Sequence, residues 1–132
     1  MNYLHTMIRV NNLEESIRFY TEMIGMNLIS KKDYPQGEFT LVFLSFGKTS
    51  DDPCIELTYN YGKSSYTMGD AFGHIAFSTP DIYKECERLR ALGVKVTREP
   101  GPMKNGTSVI AFVEDPNGYK IELIQRERPA LT

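Results

Sequence analysis

Two histidines and two glutamates stand at matching places in the two halves of this chain. Glu56 comes 51 positions after His5, and Glu122 comes 48 positions after His74. Each glutamate lies in an Ile-Glu-Leu triplet, and each histidine begins a strand-like run. Imidazole nitrogens and carboxylate oxygens are ligands that several divalent first-row metals accept. The repeated pair therefore predicts that a duplicated fold builds one metal site from two His and two Glu ligands.

The surroundings of the two glutamates favour the same site. Glu56 and Glu122 are each flanked by Ile and Leu in strands that we expect to be buried, where a carboxylate without a partner is strongly disfavoured. A cation would compensate this charge. Four protein ligands leave two positions of an octahedral ion open, and a substrate with oxygens on neighbouring carbons would be polarised there. Nickel and cobalt accept six ligands readily and zinc often prefers four, but the spacing does not choose among them.

The elements that must position these residues form two repeated modules. Asn12 and Asp81 follow the histidines by seven positions and suit the N-caps of helices, which Gly25 and Gly93 would end. One strand precedes each helix and three follow it. In the first half the predicted strands are Leu4–Val10, Met26–Lys31, Phe39–Phe46 and Cys54–Tyr59. In the second half they are Gly73–Ser78, Val94–Arg98, Ser108–Glu114 and Tyr119–Gln125, with a mobile loop at Pro100–Thr107.

Each half thus has the order β-α-β-β-β, which predicts an α+β fold of two modules with mixed sheets and helices outside. At 132 residues the chain has the length of one ordinary domain, and each half alone would bury too little surface to be stable. We expect one domain at 1–127, made of modules at about 1–65 and 70–127, and a tail at 128–132.

Composition excludes several other classes of protein. A formal net charge of -2 without a cluster of basic residues argues against a nucleic-acid surface. No apolar run approaches the roughly 18 residues that cross a membrane, and the N-terminus lacks a secretory core. We therefore expect a cytoplasmic protein. Cys54 and Cys86 lie far apart beside apolar residues, which favours buried thiols over a disulfide.

Two further polar residues share a strand face with the expected ligands. Arg9 comes four residues after His5, and Asn60 comes four residues after Glu56. Side chains at positions i and i+4 of a strand point to the same side, about 13 Å apart. A cation and an amide would thus extend the site and could hold the carboxylate and polar groups of an elongated substrate.

Four ordered segments of the chain resemble motifs of the glyoxalase I (lactoylglutathione lyase) family of the vicinal oxygen chelate superfamily. They are Leu4–Val10, Ile55–Asn60, Gly73–Ala76 and Ala111–Leu123. The resemblance implies a glyoxalase domain that acts as a homodimer with active sites between subunits. In such a dimer, His5 and Glu56 would meet His74 and Glu122 of the second copy. It also implies metal-assisted isomerisation of the methylglyoxal–glutathione hemithioacetal to S-D-lactoylglutathione through an enediolate, a detoxification of methylglyoxal.

The resemblance assigns further roles in this reaction. Glu122 would be the catalytic base, and Glu56 could serve the other hemithioacetal enantiomer. Arg9 and Asn60 would bind the γ-glutamyl end of glutathione, whereas Arg88 and Lys104 of the other subunit would lie near the glycine carboxylate. The short chain resembles the nickel- or cobalt-activated type more than the zinc type.

Two departures from the family pattern affect loops only. Tyr61 stands where a Trp is common, and Asn105 replaces a Gly after Lys104.

Three other functions on the same fold compete with this interpretation. An acyl-CoA epimerase would need the four ligands but not Arg9 and Asn60. An iron-dependent extradiol dioxygenase uses two His and one carboxylate, so the presence of both glutamates counts against it. A drug-sequestering protein would have no use for four metal ligands.

Overall fold

The computed structural model describes residues 1–127, so the expected tail at 128–132 lies outside the described residues. The chain divides into two units, Met1–Met68 and a second unit that begins at Gly69. Each unit has the predicted order β-α-β-β-β and forms one mixed sheet of four strands. Within residues 1–127, no helix is both long enough and apolar enough to cross a membrane.

The first unit has a parallel strand pair at one edge of its sheet. The strand order is β1-β4-β3-β2, in which β1 and β4 are parallel and the other neighbours are antiparallel. Its elements are β1 (His5–Val10), α1 (Leu13–Arg18), a π-helical turn (Phe19–Met23), β2 (Asn27–Tyr34), β3 (Phe39–Ser45) and β4 (Cys54–Asn60).

The second unit repeats this topology. Its strand order is β5-β8-β7-β6, again with one parallel pair, β5 and β8. Its elements are β5 (Ile75–Thr79), α2 (Ile82–Ala91), β6 (Val96–Pro102), β7 (Val109–Glu114) and β8 (Lys120–Gln125).

The helix boundaries follow from the residues that the sequence singled out. The side chain of Asn12 accepts a hydrogen bond from the Glu15 amide, and Asp81 does the same for the Lys84 amide. These bonds satisfy amides of the first helical turn. Gly25 and Gly93 both adopt positive φ, +100° and +87°, which a glycine tolerates at the end of a helix.

Each sheet has one buried face and one more polar face. In the first unit, Ile8, Val42 and Leu57 are buried together with Phe19 and Tyr20 of the helical segment. In the second unit, the buried face of β7 and β8 meets the apolar stripe of α2. That core comprises Ile82, Cys86, Leu89, Ala111, Val113, Ile121 and Leu123. Strand side chains alternate between the two faces of a sheet. His5 and Glu56 therefore lie on the more polar face of the first sheet, and Glu122 lies on the more polar face of the second.

Several predicted boundaries were wrong. The first helix does not continue regularly to Gly25, because its second part is a π-helical turn. His74 lies directly before β5 rather than within it. β6 begins at Val96 and continues to Pro102, so that residues 100–102 of the predicted mobile loop are strand.

Both cysteines are free and buried, as expected. Burial raises the pKa of each thiol above its ordinary value, since the thiolate would lose its hydration.

Candidate metal and substrate site

The first unit brings His5 and Glu56 together across its parallel strand pair. The Cα partner of Glu56 on β1 is Met7, and His5 lies two residues before it on the same face. His5 Nε2 is 3.8 Å from Glu56 Oε2. The carboxylate side chain is only 14% exposed, while the imidazole is 36% exposed. The imidazole of His5 is therefore paired with a mostly buried carboxylate, that of Glu56.

The second unit builds the same pair in the same way. The Cα partner of Glu122 on β5 is Ala76, and His74 again lies two residues before that partner. His74 Nε2 is 3.4 Å from Glu122 Oε1, with side-chain exposures of 41% and 16%. The difference of three residues between the two His-to-Glu spacings is absorbed in loops, and the strand register is identical.

The geometry of both pairs fits two ligands of one divalent ion. Donors that bind an ion at about 2.1 Å lie about 3.0 Å apart at a right angle and about 3.4 Å apart at the tetrahedral angle. The observed separations of 3.4 and 3.8 Å are close to this range. An N and O donor set also suits nickel, cobalt and zinc. Among residues 1–127, however, no three His, Cys, Asp or Glu side chains form one group, so each pair supplies two donors.

An aromatic ring supports each histidine, and neither ring was predicted from the sequence. Phe43 and Phe112 contact His5 and His74 edge-on, each with ring centroids 5.3 Å apart. Each Phe is also the Cα partner of the glutamate on the neighbouring strand. Overlaying β3 on β7 would have revealed them, because each is the only Phe in the middle of the strand before the glutamate strand.

Arg9 and Asn60 lie further along the same face of the first sheet. Arg9 is exposed on β1, and its Cα partner is Thr58, midway between Glu56 and Asn60. The amide of Asn60 donates a 3.1 Å hydrogen bond to the hydroxyl of Tyr66, a residue for which no role was predicted.

The other two predicted substrate residues lie elsewhere in the second unit. Arg88 is on α2, which covers the buried face of its sheet, and its guanidinium bonds the Glu85 carboxylate. This hydrogen bond raises the pKa of Arg88 above its ordinary value. Lys104 lies in an exposed turn between β6 and β7. Arg88 is thus carried by a helix on the side of the sheet opposite Glu122.

Tyr61, one of the departures from the family pattern, has a local partner. Its hydroxyl donates to the carboxylate of Asp33, which also accepts a 3.0 Å bond from the Thr40 hydroxyl. The bond from Tyr61 is the main cause that lowers the pKa of Asp33, and the same contact raises the pKa of Tyr61. Asp33, Thr40 and Tyr59 lie on the sheet face opposite Glu56, so this group is separate from the His–Glu pair.

Comparisons with known proteins agree with this architecture. The family model of the Glyoxalase/Bleomycin resistance protein/Dioxygenase superfamily matches residues 2–123. A probable lactoylglutathione lyase of Synechocystis sp. is 61% identical over 125 residues, which cover 95% of this chain and 95% of that protein.

Two solved structures are similar along nearly the whole chain. Glyoxalase I from Zea mays has a TM-score of 0.92 and 47% identity, and the match covers 96% of this chain but 45% of the maize chain. The trypanothione-dependent glyoxalase I of Leishmania major has a TM-score of 0.84 and 44% identity, with 94% and 86% of the two chains covered.

Proposed function

Because the chain belongs to the Glyoxalase/Bleomycin resistance protein/Dioxygenase superfamily and is an enzyme of its lactoylglutathione lyase type, we propose that its two His–Glu pairs perform that reaction. The reaction isomerises the hemithioacetal of methylglyoxal and glutathione to S-D-lactoylglutathione and so removes methylglyoxal. The observation that carries this proposal is the identical register of the two pairs, each with a mostly buried glutamate beside a histidine.

His5, Glu56, His74 and Glu122 are the proposed metal ligands. A divalent ion held by them would supply Lewis-acid polarisation of the two neighbouring substrate oxygens. Enzymes of the family depend on a metal, and we propose nickel or cobalt before zinc, because two substrate oxygens and four protein ligands require six positions.

The proton transfer is assigned to a glutamate. Glu122 removes the proton from C1 of the hemithioacetal and delivers it to C2, so that the substrate is isomerised through an enediolate without net gain or loss of protons. Glu56 occupies the equivalent position in the other unit and serves the opposite enantiomer. Phe43 and Phe112 pack edge-on against the imidazoles of His5 and His74. This packing limits the rotation of the imidazoles beside the carboxylates.

Glutathione is proposed to bind along the polar face of the first sheet. Arg9 would take the carboxylate of the γ-glutamyl end, and Asn60, oriented by Tyr66, would bond its polar groups. Lys104 of a second copy is proposed to take the glycine carboxylate. Arg88 is the weaker candidate there, since it would have to share its guanidinium with Glu85.

Each unit supplies one His and one Glu, so we further propose a homodimer in which a site combines the pair of one chain with the second pair of its partner. A cytoplasmic location is part of the same proposal.

The test begins with the metal. The purified protein is stripped with a chelator, and nickel, cobalt or zinc is added in turn while the formation of S-D-lactoylglutathione is measured. We expect nickel and cobalt to restore more activity than zinc. Highest activity with zinc would contradict the six-coordinate assignment, and activity of the fully stripped protein would contradict a metal-dependent reaction.

Metal content measured without any substrate tests the ligands separately. His5→Ala and His74→Ala should each reduce the metal bound per chain, whereas Glu14→Gln, a change at an exposed carboxylate on α1, should not. Unchanged metal content in either histidine variant would remove that residue from the site.

A further inference from the structure

The end of β6 is irregular at the point where it approaches the Lys104 turn. Arg98 is the Cα partner of Phe112, and the next partners are Gly101 and Ile110. Two residues of β6, Glu99 and Pro100, therefore stand opposite the single residue Ala111 of β7. Such a bulge disrupts the ladder of backbone hydrogen bonds and bends the strand.

The side chain of Arg98 fills this bulge with hydrogen bonds to backbone carbonyls. Its Nη1 donates to the carbonyls of Ile110 at 2.7 Å, Gly101 at 3.2 Å and Glu99 at 3.3 Å. Its Nη2 donates to the carbonyl of Pro102 at 3.0 Å. The guanidinium thus ties β6 to β7 and supplies donors where the ladder is interrupted. Lysine could not do this, because its ammonium has three donors and no planar fork.

Pro102, the last residue whose carbonyl accepts a bond from Arg98, directly precedes the turn that carries Lys104. Met103 donates its amide to the Ser108 carbonyl at 2.8 Å, and Gly106 donates to the Met103 carbonyl at 3.2 Å, so the turn is closed. Asn105 adopts φ 65°, a left-handed conformation that Asn accepts more readily than most residues. Since the turn is closed on itself, its direction depends on the backbone at Pro102.

The bulge is also in register with the His–Glu pair of its own unit. Arg98 is the partner of Phe112, and Phe112 is the partner of Glu122 and contacts His74. A displacement of β6 at Arg98 would therefore shift Lys104 relative to this pair.

We propose that Arg98 is a positioning residue that acts through Lys104 and thereby sets the selectivity for substrates with a glycine carboxylate. This inference rests on the proposed function, in which Lys104 binds that carboxylate. Arg98 does not contact the substrate; its guanidinium fixes the bulge, and the bulge fixes the direction in which the lysine extends.

The test compares two substrates in the metal-loaded enzyme. One is the hemithioacetal of methylglyoxal with glutathione, and the other is made with glutathione whose glycine carboxylate is an ethyl ester. Arg98→Lys should raise KM for the first on the order of tenfold, the value of one lost charge-assisted contact, with kcat nearly unchanged. KM for the ester should hardly change. Lys104→Ala should show the same selectivity, and adding Arg98→Lys to it should have little further effect.

A matched control removes a different contact at the same bulge. Within residues 1–127, the guanidinium of Arg90 bonds the side-chain carboxylates of Glu99 and Glu87 but no backbone carbonyl. Arg90→Gln should leave the ratio of the two KM values unchanged, because an exposed ion pair contributes little to structure. The unfolding midpoint of each variant is recorded, and Arg98→Gln replaces Arg98→Lys if the latter does not fold.

The inference would be overturned by an equal rise in KM for both substrates, by a fall in kcat alone, or by effects of Arg98→Lys and Lys104→Ala that simply add. A wild-type enzyme that does not convert the glutathione substrate would instead refute the proposed function. If the wild type converts the glutathione substrate but Lys104→Ala shows no selective rise in KM for it, the proposed function stands. The roles of Lys104 and Arg98 in binding the glycine carboxylate are then refuted.

Discussion

At the scale of single residues, the roles of the two glutamates can be separated experimentally. Glu122→Gln keeps the shape of the side chain and one coordinating oxygen, so the fold and much of the bound metal should remain. The amide cannot accept the C1 proton, however. Because a positioned general base contributes about 10² to 10⁴ in rate, kcat should fall by that factor. Steady-state kinetics of metal-replete enzyme, with metal content measured alongside, provide the test.

An alternative role for Glu122 predicts a change in the opposite direction. If its charge only moderated the metal, the neutral amide would leave a stronger Lewis acid and activity would be kept or increased. Glu114→Gln is a suitable control, since Glu114 ends β7 and pairs with Lys95. Activity of Glu122→Gln within a few-fold of wild type would move the role of the base to Glu56.

The two His–Glu contacts were predictable at this scale because the pair is repeated in the sequence. His5, His74 and both glutamates recur with similar spacing, and parallel strand pairing then places each His two residues before the partner of its Glu. Phe43 and Phe112 were not identified, because a Phe in an apolar strand is ordinarily expected in the core, and only the overlay of β3 on β7 distinguishes these two.

At the scale of elements, the contact between Tyr61 and Asp33 joins the end of β2 to the residue that follows β4. Its hydrogen bond lowers the pKa of Asp33, so the stability that this carboxylate contributes is present above its unfolded pKa and is lost as pH falls through the folded pKa. Tyr61 has a raised pKa. The stability that its hydroxyl contributes is therefore present below its unfolded pKa and is lost as pH rises through its folded pKa.

Tyr61→Phe should therefore destabilise the fold at neutral pH and lose this effect in acid below the pKa of Asp33. Urea unfolding of wild type and variant at pH 7 and at strongly acidic pH provides the comparison. Tyr83→Phe, at an exposed position on α2, is the control and should show no pH-dependent difference. An equal destabilisation at both pH values would show that Tyr61 acts through packing rather than through the carboxylate.

Regular elements were predictable where local chemistry determines them. Asn12 and Asp81 correctly marked the helix starts, and Gly25 and Gly93 the points where the helical segments end, because caps and positive φ depend on a few adjacent residues. The π-helical turn and the bulge in β6 were missed for the opposite reason. The bulge depends on Arg98 reaching carbonyls as far away as Ile110, a contact between strands that no local pattern encodes.

At the scale of the whole molecule, duplication divides the proposed ligands between the two units. Neither unit holds more than one His and one Glu of the proposed set, so a four-ligand site must combine two units. Under the proposed homodimer, one site takes His5 and Glu56 from one chain and the other two ligands from its partner. A His5→Ala homodimer and a His74→Ala homodimer would each have both sites damaged.

A mixture of these two inactive variants provides the test. In a heterodimer, one site would carry both substitutions and the other neither, so part of the wild-type activity should return after subunits exchange. Differently tagged chains allow the heterodimer to be purified and assayed alone. The control is a mixture of His5→Ala with Glu56→Ala. These residues belong to the same pair, so each site of the heterodimer contains one of the two substitutions and no activity should return. Inactive His5→Ala/His74→Ala heterodimers would show that the four ligands are not shared between chains in this way.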